Sequence, residues 1–164
     1  MTAKKDEATV ITELEMTAVR VFDAPRDLVW KAWTDPKHIG EWWGPNGFTT
    51  TTDIMDVKPG GTWRFVMHGP DGRHYKNKIV YIEVEKPKRL VYKHAGDEET
   101  EPVSFHVTVT FVEKEGKTEL TMRSVFPSAE ELARVIKEYK ADVGLSQTLN
   151  RLRDYLAMQK GGNQ

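Results

Sequence analysis

Apolar and polar residues alternate through most of the middle of the chain, which is the pattern of β-strands that bury one face. Trp63, Phe65 and Met67 share one face of such a segment. The most regular run consists of Val103, Phe105, Val107, Val109 and Phe111. Turn signals rich in glycine separate these segments, as in Gly69-Pro70-Asp71-Gly72. Successive strands joined by short turns predict an antiparallel sheet.

Two short helices are predicted after a first strand, which lies within residues 10–22. Pro25 suits a first helical turn, and residues 26–34 form the first predicted helix. Asp35 is a predicted N-cap for a second helix that extends to Trp43. The chain therefore turns from strand to helix once before the sheet continues.

A long helix is predicted at the C-terminal end. Ser128 and Glu131 form a capping box, and an apolar stripe at helical spacing follows for roughly thirty residues. Such a helix is about 45 Å long. Gly144 interrupts the apolar stripe. It marks a bend or a close backbone contact, or it is simply tolerated at a cost to helix stability of about 1 kcal/mol relative to alanine.

These elements predict an α+β fold in which a curved antiparallel sheet of six to seven strands surrounds the C-terminal helix. That helix is the only long amphipathic element available to cover one face of the sheet. We expect a single domain over residues 9–158, a flexible N-terminus over residues 1–8 and a flexible tail over residues 159–164.

Composition and charge exclude several classes of protein. The 164 residues contain no cysteine, which excludes disulfides and cysteine-based zinc sites. Lys plus Arg number 24 and Asp plus Glu 25, a balance that argues against nucleic acid as a partner. No apolar run is long enough to span a membrane, and the polar start is unlike a signal peptide. We therefore expect a cytoplasmic protein without membrane insertion.

Catalytic and metal-binding signatures are absent from the sequence. No nucleophile elbow, phosphate-binding loop or dinucleotide fingerprint occurs. His68 and His74 flank one predicted turn, and His94 and His106 flank an acidic loop at residues 95–102. Each pair is therefore a candidate for cross-strand neighbours that bind a metal. Solvated histidines at strand ends are the more common arrangement. The sequence accordingly predicts no cofactor, no metal and no catalytic residue.

An ordered set of short motifs resembles a known family. It includes Phe22-Asp23-Ala24-Pro25, Trp42-Trp43-Gly44-Pro45, Pro59-Gly60-Gly61, Pro87-Lys88-Arg89-Leu90 and the segment from Gly144 to Leu152. Together they resemble, over roughly residues 15–158, the bacterial proteins named after the activator of heat-shock protein 90 ATPase. That AHSA-type family belongs to the START-like (SRPBCC) superfamily, and the resemblance implies its helix-grip fold.

The resemblance implies a cavity between the sheet and the final helix, although the same side chains would also suit a packed core. Ile79 stands where glycine is often found in relatives, and its bulk would narrow such a cavity. Asn77, Tyr75 and Tyr81 alternate on one strand and could offer hydrogen bonds. The predicted lining comprises Trp33, Trp42, Trp43, Phe48, Trp63, Phe65, Met67, Tyr75, Asn77, Tyr81, Phe105, Val107, Met122, Tyr139, Leu145 and Leu149.

Three functions are compatible with this reading. The first is a protein that binds a small hydrophobic or aromatic ligand, such as a lipid, a polyketide or a flavonoid-like molecule. The second is a cyclase or aromatase, for which Tyr75 and Tyr81 are the acid–base candidates. The third is a partner of the heat-shock protein 90 chaperone, although the additional N-terminal domain of the eukaryotic activator has no counterpart in this sequence.

Overall fold

The computed structural model describes residues 7–95 and 104–162, with side chains up to residue 159. The predicted acidic loop, with Asp97, Glu98, Glu99 and Glu101, lies outside the described residues, as do residues 1–6 and 163–164. None of the helices within these ranges combines the length and the apolar character needed to cross a lipid bilayer.

One antiparallel sheet of eight strands forms the framework, in the order β1-β2-β8-β7-β6-β5-β4-β3. The strands are β1 (Glu7–Ile11), β2 (Glu15–Phe22), β3 (Thr49–Met55), β4 (Thr62–His68), β5 (His74–Glu85), β6 (Arg89–Ala95), β7 (Ser104–Lys114) and β8 (Lys117–Val125). The helices are α1 (Arg26–Thr34), α2 (Pro36–Ile39), α3 (Ala129–Tyr139) and α4 (Ala141–Gly162). The predicted fold class is confirmed.

The strand count exceeds the predicted six to seven because the first predicted strand is a hairpin. The Thr12 backbone N–H donates to the Glu15 carbonyl at 2.9 Å, and the Glu15 N–H donates to Thr12 Oγ1 at 3.2 Å. This turn contains neither glycine nor proline, so its sequence has no obvious signal. Strand β1 therefore begins at Glu7, inside the segment that was expected to be flexible.

The two short helices follow β2 as predicted, but the second is shorter than expected. Helix α2 ends at Ile39 rather than at Trp43. Trp42 and Trp43 are both buried, and Trp42 Nε1 donates to the Ala32 carbonyl at 3.1 Å. Adjacent residues of a regular helix point about 100° apart, so the chain leaves helical geometry to direct both rings inward.

The C-terminal helix is divided, but not at the predicted glycine. Lys140 adopts left-handed geometry (φ 52°, ψ 48°) and separates α3 from α4. Gly144 lies within α4, where a Cβ atom would approach Pro45 Cγ at 3.3 Å. The interpretation of Gly144 as a site of close contact is therefore correct, and the helix is interrupted at Lys140 instead. Helix α4 also extends to Gly162, into the predicted flexible tail.

The core lies between the helices and one face of the sheet, called here the inner face. Helix α1 packs on β7 and β8, and α4 packs on β2 and on α1. Arg20 projects from this face and is only 6% exposed. Its guanidinium donates to the Ala8 carbonyl at 2.8 Å and to Ser146 Oγ at 3.4 Å. Arg20 thus joins the edge strand β1 to helix α4.

Thr118 provides a test of how the first helix is attached to the sheet. Its hydroxyl donates to the Ala24 carbonyl at 2.8 Å, and both residues are fully buried. We expect Thr118→Val to lower the free energy of unfolding by about 1–3 kcal/mol, because a buried carbonyl loses its donor. Urea denaturation measures this change. Thr49→Val, at an exposed position of β3, is the control and should change stability by under about 0.5 kcal/mol.

Candidate functional site

The strand residues predicted to line a cavity all lie on the inner face. Cross-strand pairing brings Phe65 opposite Asn77 and Met67 opposite Tyr75. Further across the sheet, Tyr92 lies between Tyr81 on one side and Val107 on the other. Trp63 precedes Phe65 by two residues, Phe105 precedes Val107 by two, and Met122 pairs with Val109. The alternation in the sequence therefore assigned these side chains to the correct face.

Aromatic rings fill one end of this face. We call Trp33, Trp42, Trp43, Trp63 and Phe65 the aromatic cluster. The ring centroids of Trp33 and Trp42 lie 5.0 Å apart, those of Trp43 and Trp63 lie 4.9 Å apart, and Trp63 stacks on Phe65 at 3.7 Å. All five are buried. At this end the predicted side chains form a packed core.

The space enclosed beside the aromatic cluster is very small. It has a volume of about 10 Å³, which matches a single water molecule. Ile79, Tyr81, Leu90 and Tyr92 close it from the sheet side. Trp33 and Tyr92 also line it, and the Trp33 Nε1 and the Tyr92 hydroxyl have no hydrogen-bond partner within the described protein. The expected ligand-sized cavity is therefore not present at this position, because large rings and Ile79 occupy the volume.

A second group of inner-face residues remains partly accessible. Met67, Tyr75, Asn77, His94 and Phe105 are all half-buried, and we call them the outer row. Met67 pairs with Tyr75, and His94 pairs with Phe105. Asn77 connects the two pairs through a hydrogen bond with His94 at 3.0 Å. Four of the five were predicted site residues, and the outer row is a continuous strip of rings and a thioether around one polar pair.

His94 occupies an unusual environment for a titratable group. Its ring centroid lies 5.0 Å from that of Phe105, 6.0 Å from Phe65 and 6.3 Å from Trp43. Burial among these rings lowers the pKa of His94 to about 4. The imidazole is therefore neutral at physiological pH. It is a polar but uncharged group within an apolar surface.

The sequence interpretation missed His94 as a site residue because it assumed the wrong strand register. His106 lies opposite Lys93 and is exposed, so the two histidines are not cross-strand partners. A usable signal was present, since Leu90, Tyr92 and His94 alternate on β6 and the first two are buried. That alternation directs His94 to the inner face.

Other predicted residues lie away from the outer row. Tyr139 is 51% exposed, with the Arg134 guanidinium 5.9 Å from its ring centroid, so it does not line the interior. Leu145 and Leu149 are buried on the inward side of α4. Tyr81 is buried, and burial raises its pKa, which makes it a poor acid–base group.

The loop from Gly44 to Phe48, called the 44–48 loop, lies between the outer row and α4. Arg151 donates to the Gly44 and Pro45 carbonyls at 2.9 and 3.0 Å, and the Asn46 N–H donates to Gln147 Oε1 at 3.1 Å. Gly44 has a φ of 109°, and a Cβ atom there would lie 3.3 Å from Met67 Cε. The Phe48 ring, half-buried, lies 5.9 Å from Tyr75. This loop closes the outer row on the helix side.

The remaining histidine pair lies at the tip of the β4–β5 hairpin. His68 Nδ1 and His74 Nδ1 are 2.7 Å apart, and His68 Nε2 lies 2.8 Å from Thr51 Oγ1. The predicted facing of His68 and His74 is correct. Within the described ranges, however, no three histidine or carboxylate side chains come together as metal ligands.

Comparison with known proteins agrees with this architecture. Residues 23–157 match the family model described as Activator of Hsp90 ATPase homolog 1-like protein. The chain belongs to this family. A comparison with curated proteins gave no match. The family's START-like, helix-grip fold is of a ligand-binding type, and the match identifies neither a ligand nor an activity for this chain.

Solved structures share the same fold. A solution structure of a protein from Arthrobacter aurescens is 26% identical, with a TM-score of 0.86 over 92% of this chain and 91% of that one. A crystal structure of a Mycobacterium smegmatis protein is 27% identical, with a TM-score of 0.82 and coverages of 94% and 98%. The AHSA1 protein from Silicibacter pomeroyi, 20% identical with a TM-score of 0.74 and coverages of 88% and 99%, shows the shared fold alone.

The half-buried imidazole of His94 makes the stability of the protein depend on pH. The pKa of His94 lies near 4 in the folded protein and near 6.5 in an unfolded chain. Between these values the unfolded chain binds a proton that the folded protein does not, so stability falls as pH decreases from 6.5 towards 4. We expect this contribution to be on the order of 3 kcal/mol.

Urea denaturation of the wild type and of His94→Phe at pH 7 and pH 5 measures this effect. The variant should lose a large part of the pH dependence, because no imidazole remains to be protonated at that position. His106→Phe, at an exposed site on the neighbouring strand, should retain it. Equal pH dependence in the wild type and His94→Phe would show that His94 is not held neutral by burial.

Proposed function

We propose that this protein binds a small hydrophobic or aromatic molecule at the outer row, between the sheet and the 44–48 loop. The observation that supports this proposal is the continuous strip of half-buried side chains around the single polar pair Asn77–His94. Ligand sites in proteins are mostly apolar, with a few polar groups that fix orientation. The aromatic cluster then serves as the rigid floor of the site.

The packed interior determines where such a ligand would bind. Small-molecule sites usually have volumes of about 300–1,000 Å³, whereas the enclosed space beside Ile79 is about 10 Å³. Binding therefore requires side chains of the outer row to move. Met67 belongs to the outer row and lies beside Gly44 of the 44–48 loop. Its flexible thioether can repack around ligands of different shapes.

The environment of His94 favours binding over catalysis. A general base works best when its pKa is near the operating pH, and the pKa of His94 is about 4. Tyr81 is no better suited, because burial raises its pKa as well. A cyclase or aromatase would need an acid–base group whose pKa lies near the operating pH, so we rank that activity second.

Partnership with a heat-shock protein 90 chaperone is a third proposal. Measuring the chaperone's ATP turnover with and without this protein would test it.

A screen of small aromatic and lipid compounds tests the proposal directly. Flavonoids, naphthalene derivatives and fatty acids would be titrated while the melting temperature and the tryptophan fluorescence are recorded. A ligand that binds only the folded state raises the melting temperature with its concentration, equivalent to about 2.7 kcal/mol at one hundred times Kd. Fluorescence should change because Trp43 lies beside His94. No response to any compound class would contradict the proposal.

Ile79 controls how far a ligand can penetrate. It lies opposite His94 in the sheet register and also lines the small enclosed space, so it separates that space from the outer row. We expect Ile79→Ala to lower stability by about 2–5 kcal/mol through the cavity it creates. The variant should also bind bulkier ring systems more tightly than the wild type does.

Calorimetry with a naphthalene and an anthracene derivative measures this difference. Ile82→Ala is the matched control, because Ile82 is on the same strand but exposed, and it should leave both affinities unchanged. Ile79→Val, a milder truncation, serves if the alanine variant unfolds. Unchanged ligand size preference in a folded Ile79 variant would argue against binding at this end of the inner face.

A further inference from the structure

The amide of Asn77 has a defined orientation. Its Nδ2 donates to the Tyr75 carbonyl at 3.0 Å, and a carbonyl can only accept. The other amide atom, Oδ1, therefore faces His94 Nε2 at 3.0 Å. Because Oδ1 is an acceptor, the hydrogen of this second bond must come from the imidazole.

This hydrogen bond determines which nitrogen of His94 has a free lone pair. In a neutral imidazole one nitrogen is a donor and the other an acceptor. Nε2 is the donor, so Nδ1 is an acceptor. Nδ1 has no hydrogen-bond partner among the described residues. His94 is half-buried, so solvent still reaches this residue from the outer row.

The surroundings of His94 keep it neutral. The described groups that face it are the amide of Asn77, the side chain of Ile79 across the sheet and the rings of Phe105, Phe65 and Trp43. None of them is charged. An imidazolium would therefore have no counter-ion among the described residues, and the neutral imidazole offers its lone pair to a ligand in the outer row.

We propose that Nδ1 of His94 is a hydrogen-bond acceptor that selects aromatic ligands with a hydroxyl group and disfavours those with a carboxylate. A phenolic hydroxyl donates to Nδ1 while its ring packs against the neighbouring ring of Phe105. A carboxylate would instead place an acceptor against an acceptor and lose its hydration without compensation. This assignment rests on the proposed binding at the outer row and adds the chemical class of the ligand.

Three compounds with the same ring system separate the two proposals. 2-Naphthol has the hydroxyl, 2-methoxynaphthalene lacks the donor, and 2-naphthoate has the carboxylate. Titration at pH 7 should give an affinity for 2-naphthol about tenfold higher than for 2-methoxynaphthalene, which is the usual contribution of one hydrogen bond. 2-Naphthoate should bind most weakly. If none of the three binds, the proposed function fails; if all bind equally, only the role of His94 fails.

Variants at the polar pair test the same assignment independently. His94→Phe should bind 2-naphthol and 2-methoxynaphthalene equally, whereas His106→Phe should retain the tenfold preference. The melting temperature of each variant confirms that it is folded. A preference for 2-naphthol that persists in folded His94→Phe would overturn the proposal.

Asn77→Asp provides a reversal of selectivity. A carboxylate beside Nε2 favours the imidazolium and raises the pKa of His94, so Nδ1 gains a hydrogen and becomes a donor. We expect 2-naphthoate to bind this variant more tightly than 2-naphthol at pH 6, with the His94 protonation state followed by nuclear magnetic resonance. A protonated His94 without this reversal would contradict the assignment of Nδ1 as the selecting atom.

Discussion

The inner face of the sheet is apolar across most of its strands and has to be covered, and this constraint determines the rest of the structure. Aliphatic side chains of α4, such as Leu149 and Leu152, cover the part near β2. The opposite part is covered by Trp33 of α1 and by Trp42 and Trp43 after α2, which pack with Trp63 and Phe65 of β4 in the aromatic cluster. Burying a large ring contributes several kcal/mol relative to leaving it exposed. Dense packing of these rings stabilises the fold and leaves almost no free volume in the interior.

The polar pair in the outer row is the exception to this apolar surface. A half-buried imidazole and amide each cost free energy without a partner. Asn77 and His94 form a hydrogen bond with each other, and Asn77 also bonds to the backbone. Among the described residues, no group donates a hydrogen bond to the remaining acceptor, Nδ1 of His94. Two aliphatic side chains at these positions would need no hydrogen-bond partners, and the proposed recognition of a ligand supplies a reason for a polar pair there.

Prediction from the sequence succeeded where a local pattern, such as strand alternation or a helix cap, determines the structure. The alternation of Trp63, Phe65 and Met67 identified the inner face, and the caps at Asp35 and Ser128 located two helix starts. It failed where the outcome depends on tertiary contacts. A lysine in left-handed geometry at residue 140 has no sequence signal, because the surrounding structure imposes it.

The same limit applies to the candidate site. The strand register that separates His94 from His106 depends on the pairing of β6 with β7, which a one-residue slip would invert. The size of the interior depends on how the rings of Trp33, Trp43 and Trp63 interdigitate, and composition alone does not determine this. The alternation of residues therefore predicted which strand side chains face inward, but not that Tyr139 is exposed or how much space the inward side chains leave.

The position of the 44–48 loop has a consequence for the kinetics of association. The loop is bonded to α4 through Arg151 and Gln147 and rests against Met67, so we expect the proposed widening of the outer row to require that the loop first detach from the helix. The association rate constant for a ligand would then lie below the diffusion limit. Under the proposed binding, we expect the rate constant to reach a plateau at high ligand concentration and a loosened loop to accelerate both entry and exit, so residence time would depend on a loop that need not touch the bound molecule.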